Sequence, residues 1–163
     1  MSLAPAALLT HSQDLPYVDL DSSLPFIDEG SFKIQLIQVN IESGLWVVRT
    51  RFAPGTTVQK HQHTGEIFAF TLSGSWYYLE YPDDINRKGS YLYEPAGSVH
   101  TLHVPESNEG ETEVCFVMNG ANLNLDADDN VESVLDAGAM LQVYRTMCEE
   151  QGLPRASIIG AND

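Results

Sequence analysis

Positive charge is scarce in this chain. Its 163 residues carry 8 lysines and arginines against 23 aspartates and glutamates, giving a formal charge of −15 and a pI near 4.4. Nucleic-acid binding needs a basic face to neutralise phosphates, so that class is excluded. Cysteine is almost missing: Cys115 and Cys148 are the 2 present, far apart and without a Cys-x-x-Cys pair. Cys115 lies in an apolar run and reads as a packed thiol, and two reduced thiols fit a cytoplasmic protein, while a single disulfide stays open on sequence alone. Long hydrophobic runs are lacking too. None approaches the ~20 residues of a bilayer span, so no membrane role is expected. The apolar stretch at residues 3–9 is short and has no basic flank, which argues against a signal peptide. The expectation is one acidic soluble domain of 18.0 kDa, large enough to bury its own core.

What the chain does have is a patterned set of histidines. His61 and His63 stand one residue apart, and on a strand such a pair projects from one face because side chains alternate with period two. His100, at the start of a later strand, completes a three-imidazole site if the two strands are neighbours. His103 lies three residues further on, where alternation sends it to the opposite face, and His11 falls in a polar N-terminal segment and reads as solvated. The structural alternative, single histidines making ordinary hydrogen bonds, is weighed down by the spacing of glycines and proline around them.

Taken in order, residues 1–31 read as an extended N-terminal arm with scattered apolar anchors. Alternating or β-branched runs punctuated by Gly and Pro predict strands at 32–41, 45–53, 57–63, 66–72, 75–81, 91–93, 99–104 and 113–119. Residues 82–89 read as a polar loop. One helix is predicted, over 131–152, from Val134, Leu135, Met140, Leu141, Tyr144, Met147 and Cys148 at helical spacing, with Gly152 and Pro154 ending it. Many short strands at this spacing indicate an all-β sandwich or barrel spanning 32–126 rather than a parallel α/β sheet. The arm and the sheet edges suggest a homodimer or homotetramer.

The stretch from Gly55 to His100 resembles the cupin signature. Gly55, His61, His63 and Gly74 match its first half, and Gly89, Pro95, Gly97 and His100 its second. Two positions depart: Ile67 occupies the place of the motif's glutamate, and Val104 that of its closing asparagine. Glu66 is one step out of register, and a one-residue slip turns a strand side chain to the other face. The resemblance implies a cupin jelly-roll, a double-stranded β-helix barrel, with the arm before it and the helix after it. The runs at 61–66, 70–76, 78–81 and 93–102, with 126–130 leading into 141–144, look like the branch containing acetylacetone-cleaving dioxygenase and 2,4'-dihydroxyacetophenone dioxygenase. That likeness implies nonhaem Fe(II) on His61, His63 and His100, and O2-dependent cleavage of a carbon–carbon bond in a ketone substrate. Related cupins also include sensor-type zinc domains, so a non-catalytic metal-binding or small-molecule-binding cupin is the competing expectation.

Ligand type does not select the metal, because imidazole suits several; Zn, Ni and Mn stand beside Fe(II). Three neutral imidazoles leave the ion's charge uncompensated and coordination positions open, which favours an anionic chelating ligand such as an enolised β-diketone or α-hydroxyketone. Two carboxylates are candidates for catalytic roles. Glu94 either accepts a hydrogen bond from the distal N–H of a ligand imidazole or is an exposed strand-end residue. Glu80 shares parity with Trp76 and Tyr78; it is a pocket acid/base or fourth ligand, or it faces out, and parity favours the pocket.

Overall fold

The computed structural model describes residues 16–161. β1 (Ile27–Asp28), β2 (Phe32–Asn40), β3 (Leu45–Phe52), β4 (His61–His63), β5 (Ile67–Ser73), β6 (Ser75–Tyr78) and β7 (Tyr81–Arg87) come first. They are followed by β8 (Tyr91–Glu94), β9 (Val99–His100), β10 (Leu102–His103), β11 (Thr112–Asn119), β12 (Asn122–Leu125), β13 (Val131–Leu135) and one helix, α1 (Ala137–Glu150). The strands form a six-stranded sheet in the order β1-β2-β3-β11-β5-β8, a three-stranded sheet β10-β6-β7 and a four-stranded sheet β13-β12-β4-β9. The strand pairings within the three sheets are antiparallel. This is the expected all-β jelly-roll with a C-terminal helix.

β11 shows how the layers are built. Thr112, Val114, Phe116 and Met118 point inward and are buried, while Glu113, Cys115, Val117 and Asn119 alternate outward. Phe116 meets Trp76 of the small sheet at 6.0 Å between ring centroids, so the core lies between the large sheet and the smaller ones. Trp76 is fully buried and its indole N–H donates to Thr71 Oγ1 at 2.9 Å, which removes the cost of hiding that donor. On the outer side of β3, Arg49 and Arg51 both bind the Glu113 carboxylate across the ladder.

Three expectations are corrected. The predicted helix over 131–152 begins too early: residues 131–135 form β13, paired with β12, and α1 starts at Ala137. Val134 and Leu135 imitate helical spacing, but the start signal is Asp136, whose carboxylate accepts the Ala139 N–H at 2.8 Å as an N-cap. The predicted loop over 82–89 is mostly strand β7, polar because its residues are exposed except Asn86. The strand predicted over 75–81 is a hairpin: Tyr78 pairs with Tyr81, and Leu79-Glu80 form its turn. β12 lies in a stretch with no strand prediction. Within the arm, residues 27–28 pair with β2, and His11 lies outside the described residues. Cys115 and Cys148 are free thiols, the first half-buried and the second buried. Among the described residues no helix is long and apolar enough to cross a membrane.

Candidate metal centre

The four-stranded sheet delivers the histidines. His61 and His63 project from one face of β4, and His61 is the direct cross-strand partner of His100 on β9. All three are buried, at 8%, 3% and 2% exposure. Ring centroids lie 4.8 Å (His61–His63), 5.0 Å (His61–His100) and 4.9 Å (His63–His100) apart, and one ring nitrogen from each lies within 4.8 Å of the others. Glycine and proline from the motif hold this register. Gly97, at φ +85°, turns the chain between β8 and β9; its N–H donates to the His63 carbonyl at 2.7 Å, and the His63 N–H donates to Ser98 at 3.1 Å.

The imidazoles are oriented from behind. His61 Nδ1 lies 2.8 Å from the Gln59 carbonyl, and His63 Nδ1 lies 2.6 Å from Asn122 Oδ1. Both partners are acceptors, so each Nδ1 carries the proton and each Nε2 lone pair faces the cluster, as a metal ligand requires. Asn122 sits on β12 directly opposite His63. Burial, with neighbouring imidazoles adding to it against the Gln59 contact, holds the His61 pKa down at about 4, so the ring is neutral at pH 7.

Glu94 is at the same place. It is 3% exposed; Oε2 lies 2.9 Å from His63 Nε2 and 3.3 Å from His100 Nε2, and Oε1 accepts the Tyr78 hydroxyl at 2.5 Å. Burial alone raises a carboxyl pKa; N–H donation from His100 and His63 would outweigh it and bring Glu94 to about 2. Yet Oε2 and His100 Nε2 are both buried without a hydrogen-bond partner, since the contacts lack hydrogen-bond geometry. Orphaned buried atoms of this kind are costly, and a cation among them satisfies all of them together. The donor set therefore fits a divalent metal.

Sequence and structure diverge on the carboxylates. Of the two expectations for Glu94, the exposed strand end does not hold, and the carboxylate meets the inward Nε2 atoms rather than a distal N–H; those of His61 and His63 are taken by Gln59 and Asn122. Glu80 is not in the cavity. It is exposed in the β6–β7 turn, and its carboxylate accepts the Thr101 N–H at 2.8 Å and hydroxyl at 2.9 Å. Parity fails there because the strand ends at Tyr78. Glu66 is exposed and accepts from Tyr93, and His103 contacts Thr57 Oγ1 and the Tyr77 ring, away from the cluster. Asn122 was missed by sequence reasoning; the signal available was the period-two run Asn-Leu-Asn-Leu of β12.

His61 and His63 open on a cavity of about 380 Å³ between the sheets. Phe32, Phe52, Val58, Leu102, Phe116 and Met118 give it apolar walls, and among the described residues no lysine or arginine lines it. A jelly-roll with three inward imidazoles on motif strands beside an apolar cavity defines a cupin. The chain belongs to the ChrR cupin-like domain family, matching it over residues 6–122. Among solved structures it is similar to a protein of unknown function with a cupin-like fold from Ralstonia eutropha, at 38% identity over 95% of this chain and 98% of that one, TM-score 0.84. An RmlC-like cupin from the same organism is 22% identical over 91% and 98%, TM-score 0.79. An acetylacetone dioxygenase from Acinetobacter johnsonii is 17% identical over 81% and 92%, TM-score 0.71, a likeness of fold. A search of curated proteins finds no match.

Proposed function

We propose that this protein is a nonhaem Fe(II)-dependent dioxygenase that cleaves a carbon–carbon bond of a β-diketone or α-hydroxyketone. The observation that carries it is the conjunction of three converging imidazoles, two of them oriented by Gln59 and Asn122, with an apolar cavity that offers no cationic side chain among the described residues. A substrate there would have its polar head at the imidazole cluster and its remainder against Phe32, Phe52 and Phe116. Ferrous iron, when bound, supplies Lewis acidity toward the enolised ketone and electrons for dioxygen chemistry. His61, His63 and His100 would hold the ion. Gln59 and Asn122 fix ring orientation, so little reorganisation accompanies binding. Tyr78 stacks on His100 and hydrogen-bonds Glu94, and the apolar walls exclude water. Glu94 adds a negative charge to the imidazole face. Both atoms of one O2 end in the two cleavage products, so no outside reductant is needed.

The second reading is a non-catalytic zinc-binding sensor or small-molecule-binding cupin, which the same histidine cluster would serve. Oxygen consumption with Fe(II)-reconstituted protein across a panel of β-diketones and α-hydroxyketones separates the two. Stoichiometric uptake with carboxylic-acid product supports the enzyme. Tightly held zinc and no uptake with any panel member rejects it and leaves the metal site standing.

A further inference from the structure

Ile67 and Glu94 are direct partners across the β5–β8 ladder. Opposed residues in an antiparallel pair emerge on the same face, so a carboxylate at 94 reaches the space that one at 67 would reach, from the neighbouring strand. Ile67, 1% exposed, fills the core instead. The departure from the metal-site pattern at 67 is thus matched by a buried carboxylate one strand away.

Distances and lone pairs say what that carboxylate does. His63 Nδ1 is committed as donor to Asn122, so its Nε2 presents a lone pair to Glu94 Oε2 at 2.9 Å. His100 Nε2, 3.3 Å from the same oxygen, has no hydrogen-bond partner, and neither has Oε2. Two lone pairs facing each other in a dry site repel unless a cation joins them. Ligand atoms ~2.1 Å from a metal lie about 3.0 Å apart at right angles and about 3.4 Å apart at the tetrahedral angle. The two observed separations are those of adjacent ligands on one ion. Oε1 is occupied by Tyr78, which leaves Oε2 as the free donor and fixes its direction.

We propose that Glu94 is the fourth protein ligand of the metal centre, binding through Oε2 beside His61, His63 and His100, an inference that rests on the metal-site reading above. The site is then three histidines and one glutamate, with the carboxylate supplied by β8 rather than β5. It lowers the net charge of a divalent centre to +1, so a singly deprotonated chelating ligand leaves the buried assembly neutral.

Zinc serves as the probe, because it binds without redox change. The measurement is a zinc-minus-apo infrared difference spectrum of the full chain labelled with 13C in the glutamate carboxyl groups, alongside a zinc competition titration. The expected result is one glutamate carboxylate band displaced by zinc, lost in Glu94→Gln and kept in Glu66→Gln. Glu94→Gln is expected to retain one zinc per chain with a Kd raised about 100-fold, the upper end of what partners of a metal ligand contribute. A carboxylate that only orients a histidine lowers affinity without a displaced band of its own. Zinc bound at one per chain with no glutamate band moving overturns Glu94 as a ligand and leaves the three-imidazole site intact. Failure of the wild-type protein to bind zinc overturns the site and the ligand together. Should Glu94→Gln not fold, the labelled wild-type spectrum and Glu66→Gln decide.

Discussion

The ring of Tyr78 lies flat on the imidazole of His100, with centroids 3.8 Å apart and planes 16° apart, while its hydroxyl donates to Glu94. One buried side chain therefore braces both a histidine and the carboxylate beside it. Tyr78→Phe keeps the stack and strands Glu94 Oε1 without a donor. We expect it to destabilise the metal-free protein by about 1–3 kcal/mol, and Tyr78→Ala by about 3–5 kcal/mol, in urea unfolding. Equal losses for the two variants would mean that the stacked ring contributes nothing, and an unchanged Tyr78→Phe that the hydroxyl contributes nothing.

His61→Ala is expected to abolish stoichiometric metal binding, whereas His103→Ala and Glu80→Gln are expected to leave it unchanged. The contrast follows from position: His61 faces the cluster, His103 contacts Thr57 and Tyr77, and Glu80 is exposed in a turn. Metal content by mass spectrometry after reconstitution and desalting checks all three. Loss of metal in Glu80→Gln would restore the pocket role that its strand parity suggests.

Asn122→Ala leaves the His63 imidazole without its orienting acceptor, and a roughly 10–100-fold weaker metal affinity is expected. Competition against a chromophoric chelator measures it. An unchanged affinity would show that packing alone holds the ring.

Acid should destabilise the metal-free protein before any carboxylate titrates. His61 has a pKa of about 4 when folded against 6.5 in the unfolded chain, so between these values the unfolded state binds more protons and stability falls as pH falls. The loss amounts to about 2 kcal/mol between pH 7 and pH 5. Urea midpoints of the metal-free protein across this range give the slope. His61→Gln is expected to flatten it above pH 5, and a flat wild-type curve would contradict the burial of a neutral imidazole.

How far the letters carry depends on whether a feature is local. Alternation along β11 and the spacing of His61 and His63 are properties of neighbouring residues, and a strand geometry of period two converts them directly into a face. The motif glycines and Pro95 are legible for the same reason, since backbone conformation is a local matter. Parity misled at Glu80 because it assumes the strand continues, and a hairpin turn begins at Leu79. Val134 and Leu135 misled because an apolar pair shortly before Met140 and Leu141 fits a helical face and also closes a short strand.

Sequence by itself determined a β-rich acidic domain, the two histidines that share a strand face and the third that joins them, because each rests on periodicity or on motif spacing. Only the tertiary structure decided that Asn122 stands behind His63, that Tyr78 lies against His100, and that Glu94 approaches the metal-facing nitrogens from the strand beside Ile67. Those relations depend on which strands become neighbours and in what register, and register is settled by the packing of the whole core rather than by any one segment.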